Sequence, residues 1–192
     1  MKYFNQLDYR HIPYYINAKE EPILRNVALS GCGPCSICMM VEILTDKALD
    51  IVDCIKIAEE CAANHSIGTD MNVLAPVIAE RFDLDYRNTA DLDETIRHLQ
   101  NGGQVVVHVC VPKGETVGLF TKGGHYMSII STDGKEFCIL DPSYTPEKFQ
   151  IPERAGKVND DHAPFLYCDV NILHGQTGST PFKYHLFSRK RS

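Results

Sequence analysis

The hydrophobic pattern of the chain changes its spacing near residue 103, and this change constrains the fold more than any other feature. Before it, apolar residues recur every three or four positions, as in amphipathic helices. After it, β-branched runs are separated by turn residues, as in strands. Gly102 and Gly103 mark the boundary, because glycine commonly follows the end of a helix. Helices followed by an antiparallel sheet predict an α+β fold rather than a doubly wound parallel sheet.

Four helices are predicted in the first part of the chain. The first begins at the "CGP" of residues 32–34, where Pro34 suits the first helical position. Asp70 is the expected N-cap of the third helix. Residues 1–30 show little periodicity and are predicted to be extended and loop-like. The helices begin at residue 34 and at about residues 50, 70 and 91, and the last three end near residues 62, 82 and 100.

Strands are predicted in the second part, and two of them form a hairpin. The turn "TDGK" at residues 132–135 joins these two strands in antiparallel pairing. The "DPS" of residues 141–143 ends the second strand of the pair. The predicted strands cover residues 104–111, 124–131 and 136–140, with weaker patterns at residues 163–170 and 182–187.

Composition limits the class of protein. A chain of 192 residues that is 44% hydrophobic can bury one core, and we expect a single domain over residues 1–192. The net charge of −6 argues against a nucleic-acid partner, because binding to phosphates requires clustered Lys and Arg. The sequence shows neither an apolar leader nor a membrane-length run, so we expect a cytoplasmic location and no membrane partner. Eight cysteines, several in apolar runs, are typical of free thiols in a reducing compartment.

The segment "GCGPCSICMM" at residues 31–40 allows three kinds of chemistry. A redox pair of Cys32 and Cys35 needs a preceding strand within a βαβ pattern, which residues 1–30 do not provide. An iron–sulfur site needs a fourth cysteine, but Val41 lies three residues after Cys38. The third possibility is a single nucleophile at the start of a helix.

No metal and no cofactor are predicted. Apart from His125, the histidines lack the paired spacing of metal ligands. We expect surface or strand positions for them, and His108 is the one expected to face the core. These histidines are His11, His65, His98, His108, His162, His174 and His185.

Three residues supply what a nucleophilic cysteine requires. Cys32 lies at a helix start, where the helix dipole and free N–H groups favour a thiolate. His125 follows two glycines at the mouth of a strand, and Asp141 ends the next strand, so the hairpin makes them neighbours. An acceptor beside the histidine fixes its tautomer. Taken alone, a histidine at a strand end or an Asp-Pro turn is an ordinary structural feature.

The motifs together resemble the C39-like branch of the papain-like cysteine peptidases. The resemblance rests on "NQLDYR…SGCGPCSICMMVEIL", "LQNGGQVVVHVCV" and "GGHYMSIISTDGKEFCILDPS", between residues 3 and 143. It implies a papain-like α+β fold, with N-terminal helices packed on an antiparallel sheet, and a Cys32, His125 and Asp141 triad. It also implies that Gln6 matches the oxyanion-hole glutamine of the family, although Asn5 and Asn26 are competing amide donors.

The expected function is a cysteine hydrolase that cleaves an amide bond, with a peptide or a small amide as substrate. An acyl or peptidyl transferase with the same triad is the alternative, and a non-catalytic peptide-binding module is a further one. Thiol–disulfide exchange through Cys32 and Cys35 is the remaining possibility. Cys35 replaces a small or hydroxyl residue that is frequent in the family, so we also hypothesise that oxidation links Cys35 to Cys32.

Overall fold

The computed structural model describes residues 1–17, 21–65 and 67–190. It contains helices and strands in the order that the sequence predicts, with several additional short elements. Along the chain these are a 3₁₀ helix (Gln6–Tyr9), β1 (Pro13–Ile16), β2 (Ile23–Asn26), α1 (Val27–Ser30), α2 (Cys32–Thr45), α3 (Ile51–Glu60), β3 (Asn64–His65), β4 (Gly68–Thr69), α4 (Met71–Arg81), β5 (Leu84–Thr89), α5 (Leu92–Gln100), β6 (Gln104–Cys110), β7 (Gly124–Thr132), β8 (Glu136–Leu140), β9 (Asn159–His162), β10 (Phe165–Asp169), α6 (Val170–Gly175) and β11 (Tyr184–Arg189).

A seven-stranded sheet forms the centre of the fold, in the order β5-β11-β6-β7-β8-β10-β9. All of its neighbouring strands pair antiparallel. Helices α2, α3 and α4 contribute to a hydrophobic cluster that includes Val106 and Phe187 of the sheet. A second cluster joins Leu99 of α5 and Leu173 of α6 to sheet residues such as Val107. The predicted α+β class is therefore confirmed.

Helix α2 begins at Cys32, two residues before the predicted start. The N–H of Cys35 donates to the carbonyl of Gly31 at 2.9 Å, which closes the first helical turn. Pro34 is the third helical residue rather than the first. The position accepts proline because N–H groups of the first turn have no intrahelical acceptor, so the missing N–H costs nothing there. Cys32 is therefore part of the first turn itself.

The other three predicted helices are confirmed as α3, α4 and α5. Each begins directly after an aspartate whose carboxylate accepts a hydrogen bond from a backbone N–H of the first turn. These N-caps are Asp50, Asp70 and Asp91. In the described ranges, no helix has both the length and the apolar character needed to cross a membrane.

The prediction for residues 1–30 is wrong in part, because this segment forms regular structure. Strands β1 and β2 pair as an antiparallel hairpin, and α1 follows β2 directly. Tyr14 and Ile16 of β1 are fully buried, whereas their neighbour Tyr15 is exposed. Strands of four residues are too short to produce a recognisable period. Strands β5 and β9 were not predicted either, whereas the weaker patterns at 163–170 and 182–187 correspond to β10 and β11.

Strands β7 and β8 pair antiparallel as predicted, with Ser128 opposite Leu140. The register shifts between Ile129 and Ser131, which indicates a bulge near the turn. The Ser128 hydroxyl donates to the carbonyl of Ser36 in α2 at 3.0 Å. This buried bond fastens α2 to β7 and thereby fixes the helix start relative to the strand start.

We predict that Gly31→Ala destabilises the fold at the turn that leads into α2. A Cβ added at Gly31 would lie 2.5 Å from a methyl carbon of Val27 and 2.6 Å from the Val27 carbonyl oxygen. Such overpacking lowers the free energy of unfolding by about 1–3 kcal/mol. Urea denaturation measures the change. Gly175→Ala is the control, because its added Cβ meets nothing within 4 Å; equal stability of both variants would contradict the prediction.

Candidate active site

Cys32 lies at the N-terminus of α2 and is partly exposed. The His125 side chain and the backbone N–H groups of Gly33 and Tyr126 are the polar groups that act on its sulfur. Burial alone would raise the pKa of the thiol. Donation from these groups and the positive charge on His125 outweigh burial, so the pKa of Cys32 lies below its ordinary value.

His125 is the second residue of β7, and its side chain is 6% exposed. The Nε2 atom lies 2.8 Å from Oδ1 of Asp141 and 3.1 Å from Oγ of Ser143. An ionised carboxylate only accepts, so this contact assigns a proton to Nε2 and leaves Nδ1 for Cys32. Burial lowers the pKa of His125, but Asp141 and Cys32 raise it more strongly, and the net shift is upward.

Asp141 directly follows β8 and is fully buried. Its Oδ1 accepts from the Ser143 N–H at 2.8 Å and from the Ser143 hydroxyl at 3.1 Å, in addition to His125. Its Oδ2 accepts from Nζ of Lys148 at 2.5 Å. Burial would raise the pKa of this carboxyl. The charges of Lys148 and His125 and these hydrogen bonds hold it well below its usual range.

Gln6 is buried at the start of the 3₁₀ helix. Its backbone N–H donates to the carbonyl of Pro142 at 2.6 Å, and its Nε2 donates to the carbonyl of Ala28 at 2.8 Å. A side-chain amide has two N–H groups, so the second remains available to an oxyanion. Of the competing amides, Asn5 bonds the Tyr144 carbonyl and Asn26 caps α1.

The structure thus links Cys32, His125 and Asp141 in one chain of contacts, and it anchors Gln6 beside Asp141 through Pro142. Two further polar side chains belong to the same cluster and were not predicted. Ser143 had a signal in the sequence, because a serine two residues after an aspartate is a common turn partner. Lys148 had none, since a single lysine in a polar stretch resembles any exposed residue.

The remaining cysteines and histidines differ from the expectation in part. All eight cysteines are free thiols. Cys35 is fully buried and burial raises its pKa well above the ordinary value. His98 and His185 are buried at 8% and 1% exposure, whereas His108 is only half-buried. The expectation that His108 faces the core more than the others is therefore wrong.

Comparison with known proteins decides the family. The model of the Peptidase_C39 like family matches residues 1–158, which is most of the chain. The chain belongs to this family. The C39-like match extends beyond the residues that carry the resemblance in the sequence and includes Lys148. Among curated proteins, no match was found.

Solved structures with the C39-like fold are similar to this chain. One is the peptidase domain of Streptococcus ComA, a bi-functional ABC transporter involved in quorum sensing, with a TM-score of 0.52 and 12% identity. That match covers 83% of this chain and 91% of the ComA domain. The other is a protein described as a C39-like peptidase from Bacillus anthracis, with a TM-score of 0.57 and 12% identity over 84% of this chain and 90% of that one. At this identity the similarity shows the fold alone.

We predict that Asp141→Asn destabilises the chain and that the loss depends on pH. The substitution leaves Lys148 buried without its charged partner, which costs about 3–5 kcal/mol near neutral pH. The folded-state pKa of Asp141 is depressed, so its contribution is complete above its unfolded pKa of about 3.9 and is lost as pH falls below that value. Urea denaturation of both proteins measures this difference.

The gap in unfolding free energy between wild type and Asp141→Asn should therefore narrow between neutral pH and about pH 3. Asp161→Asn is the matched control, because Asp161 is exposed and its substitution should change stability little. A gap that stays constant over this pH range would contradict the prediction.

Proposed function

We propose that the protein is a cysteine hydrolase that cleaves an amide bond, most directly a peptide bond. The observation that carries the proposal is the arrangement of Cys32 beside His125, whose Nε2 contacts the buried carboxylate of Asp141 at 2.8 Å. Membership of the C39-like peptidase family supports the same reaction class. The mechanism below assigns a role to each of these residues.

The nucleophile in this mechanism is the Cys32 thiolate, paired with a protonated His125. The sulfur attacks the substrate carbonyl carbon, and the carbonyl oxygen becomes an oxyanion. The Cys32 N–H of the first helical turn and the second Nε2–H of Gln6 donate to that oxyanion. His125 then gives its proton to the leaving amine, and a thioacyl-enzyme remains. Water attacks this intermediate while His125 accepts one of its protons; the carbon–sulfur bond then breaks, the acid is released, and the Cys32 thiolate with protonated His125 is restored.

Two of the alternatives fit the structure less well. In thiol–disulfide exchange through this pair, Cys35 would have to form a thiolate and attack a disulfide on Cys32. Cys35 is fully buried, and burial raises its pKa, which disfavours that thiolate. A peptide-binding module has no use for a buried carboxylate held ionised behind a histidine, because burying charge is costly. These observations favour an enzyme.

Transfer of the acyl group to an amine uses the same intermediate as hydrolysis. We propose hydrolysis as the main reaction, because water is the more abundant nucleophile. Product analysis in the presence of a primary amine separates the two reactions, since hydrolysis releases a carboxylic acid and transfer releases an amide.

We predict that iodoacetamide labels Cys32 rapidly and selectively at mildly acidic pH, where ordinary thiols are protonated. His125→Ala should slow this labelling by at least about tenfold, since it removes the partner that lowers the pKa of the thiol. Intact mass with peptide mapping identifies the labelled site. His162→Ala is the control, because His162 is exposed on β9.

Equal labelling rates in wild type and His125→Ala would remove the basis of the proposed function. Slow labelling spread over several cysteines would do the same and would favour a binding role for the fold.

We predict that Gln6→Ala reduces acylation of Cys32 but leaves alkylation unchanged. Acylation by p-nitrophenyl acetate passes through an oxyanion, and loss of one oxyanion donor lowers such rates by about a hundredfold. Alkylation by iodoacetamide forms no oxyanion, so it reports only the thiolate. The release of p-nitrophenol measures the first reaction, and mass spectrometry measures the second.

Gln150→Ala is the matched control for this experiment, because Gln150 is exposed and its amide bonds only the nearby Pro146 carbonyl. An equal loss of both reactions in Gln6→Ala would indicate a structural role. Unchanged acylation would exclude Gln6 as an oxyanion donor.

A further inference from the structure

Lys148 is a buried cation that the proposed mechanism does not use. Its side chain is 7% exposed, and it lies in the turn region after β8. Its Nζ donates to Oδ2 of Asp141 at 2.5 Å and to Oγ of Ser143 at 2.7 Å. Lysine is almost never buried unless it is paired, so this contact differs from the ion pairs of exposed side chains.

The two oxygens of the Asp141 carboxylate have different partners. Oδ1 accepts from His125 and from the N–H and hydroxyl of Ser143, whereas Oδ2 accepts from Lys148. With both oxygens held, the plane of the carboxylate cannot rotate away from the imidazole. The Ser143 hydroxyl accepts from Lys148 and donates to Oδ1, so one ammonium orders both neighbours of His125.

The backbone around Lys148 is also fixed relative to the segment that leads into His125. Arg154 donates from Nη1 to the Lys148 carbonyl at 3.2 Å and from Nε to the Gly118 carbonyl at 3.0 Å. The N–H of Gly118 in turn donates to the carbonyl of Thr121. The buried Arg154 therefore fixes the backbone of Lys148, in addition to the bonds that its Nζ atom makes.

We propose that Lys148 is a positioning residue that orients the Asp141 carboxylate toward His125 and balances the charge of the buried site. This inference rests on the proposed function, because it concerns the reactivity of Cys32. Lys148 does not touch the reacting atoms and acts through Asp141. Without it, Oδ2 would lose its charged donor and only Oδ1 of the carboxylate would be held.

The charge of Lys148 also sets the sign of the expected pH effect. A positive charge near Cys32 and Asp141 favours the thiolate and disfavours the imidazolium. Its removal raises the pKa values of both Cys32 and His125, so the thiolate forms at higher pH. The other titratable groups that face the site are present in wild type and in the Lys148 variants alike. Those facing Cys32 are Tyr14, Cys35 and Tyr126. His108 faces His125, and Tyr3 and Arg154 face Asp141.

The test is the rate of Cys32 alkylation by iodoacetamide as a function of pH, followed by intact mass. Lys148→Met removes the charge and the donor, Lys148→Gln removes the charge alone, and Lys148→Arg keeps both. We expect both neutral variants to shift the midpoint of the rate profile upward by at least about one pH unit, which is about a tenfold loss of rate below the midpoint. Lys148→Arg should keep the midpoint. The exposed Lys157→Met is the matched control.

The double variant Asp141→Asn/Lys148→Met tests the route of the effect. If Lys148 acts through Asp141, its substitution in the Asp141→Asn background should shift the midpoint much less than in wild type. A shift of equal size in both backgrounds would overturn the positioning role. Thermal unfolding of each variant establishes that the fold is retained. If Lys148→Met does not fold, the same upward shift of the midpoint is tested with Lys148→Gln, alone and in the Asp141→Asn background.

The outcomes separate this inference from the proposed function. Unchanged profiles in Lys148→Met and Lys148→Gln, with a strong effect of His125→Ala, would overturn the role of Lys148 alone. If His125→Ala has no effect on wild-type reactivity, the proposed function fails and the role of Lys148 fails with it.

Discussion

The hydrogen bonds to the buried carboxylate of Asp141 are the interaction on which the candidate site depends. A carboxylate that is fully removed from water is stable only if its charge is compensated and its oxygens accept hydrogen bonds. Here His125, Ser143 and Lys148 supply those donors. The same bonds that make the burial possible therefore fix the orientation of the imidazole.

The sheet and the first long helix place the partners of this carboxylate. Antiparallel pairing of β7 with β8 brings the start of one strand to the end of the next, where His125 and Asp141 lie. The buried bond from Ser128 to Ser36 fastens α2 against β7, so that Cys32 at the helix start meets the ring of His125. The N-terminal segment completes the arrangement, because Gln6 bonds Pro142 and Ala28 together. Three separate stretches of sequence thus converge at one end of β7.

Much of this arrangement could be predicted from local patterns. Local signals mark the helix start near Cys32, the strand that begins at the two glycines before His125, and the turn between the strands. Antiparallel pairing in the hairpin then predicts that His125 and Asp141 are neighbours. Lys148 could not be predicted, because its position depends on how the turn after β8 folds back onto Asp141. The hairpin of β1 and β2 was missed for a related reason: its strands are short, and their burial comes from tertiary packing rather than from a repeated pattern.

The central claim of this account is that Cys32 exists as a thiolate at a pH where ordinary cysteines are protonated. The most direct measurement is the ultraviolet absorbance of the thiolate during a pH titration of wild type, with Cys32→Ser as the reference. The account predicts a difference signal whose midpoint lies clearly below about pH 8.5, the pKa of a free cysteine. A midpoint at or above that value would contradict the account, because burial would then outweigh the contribution of His125.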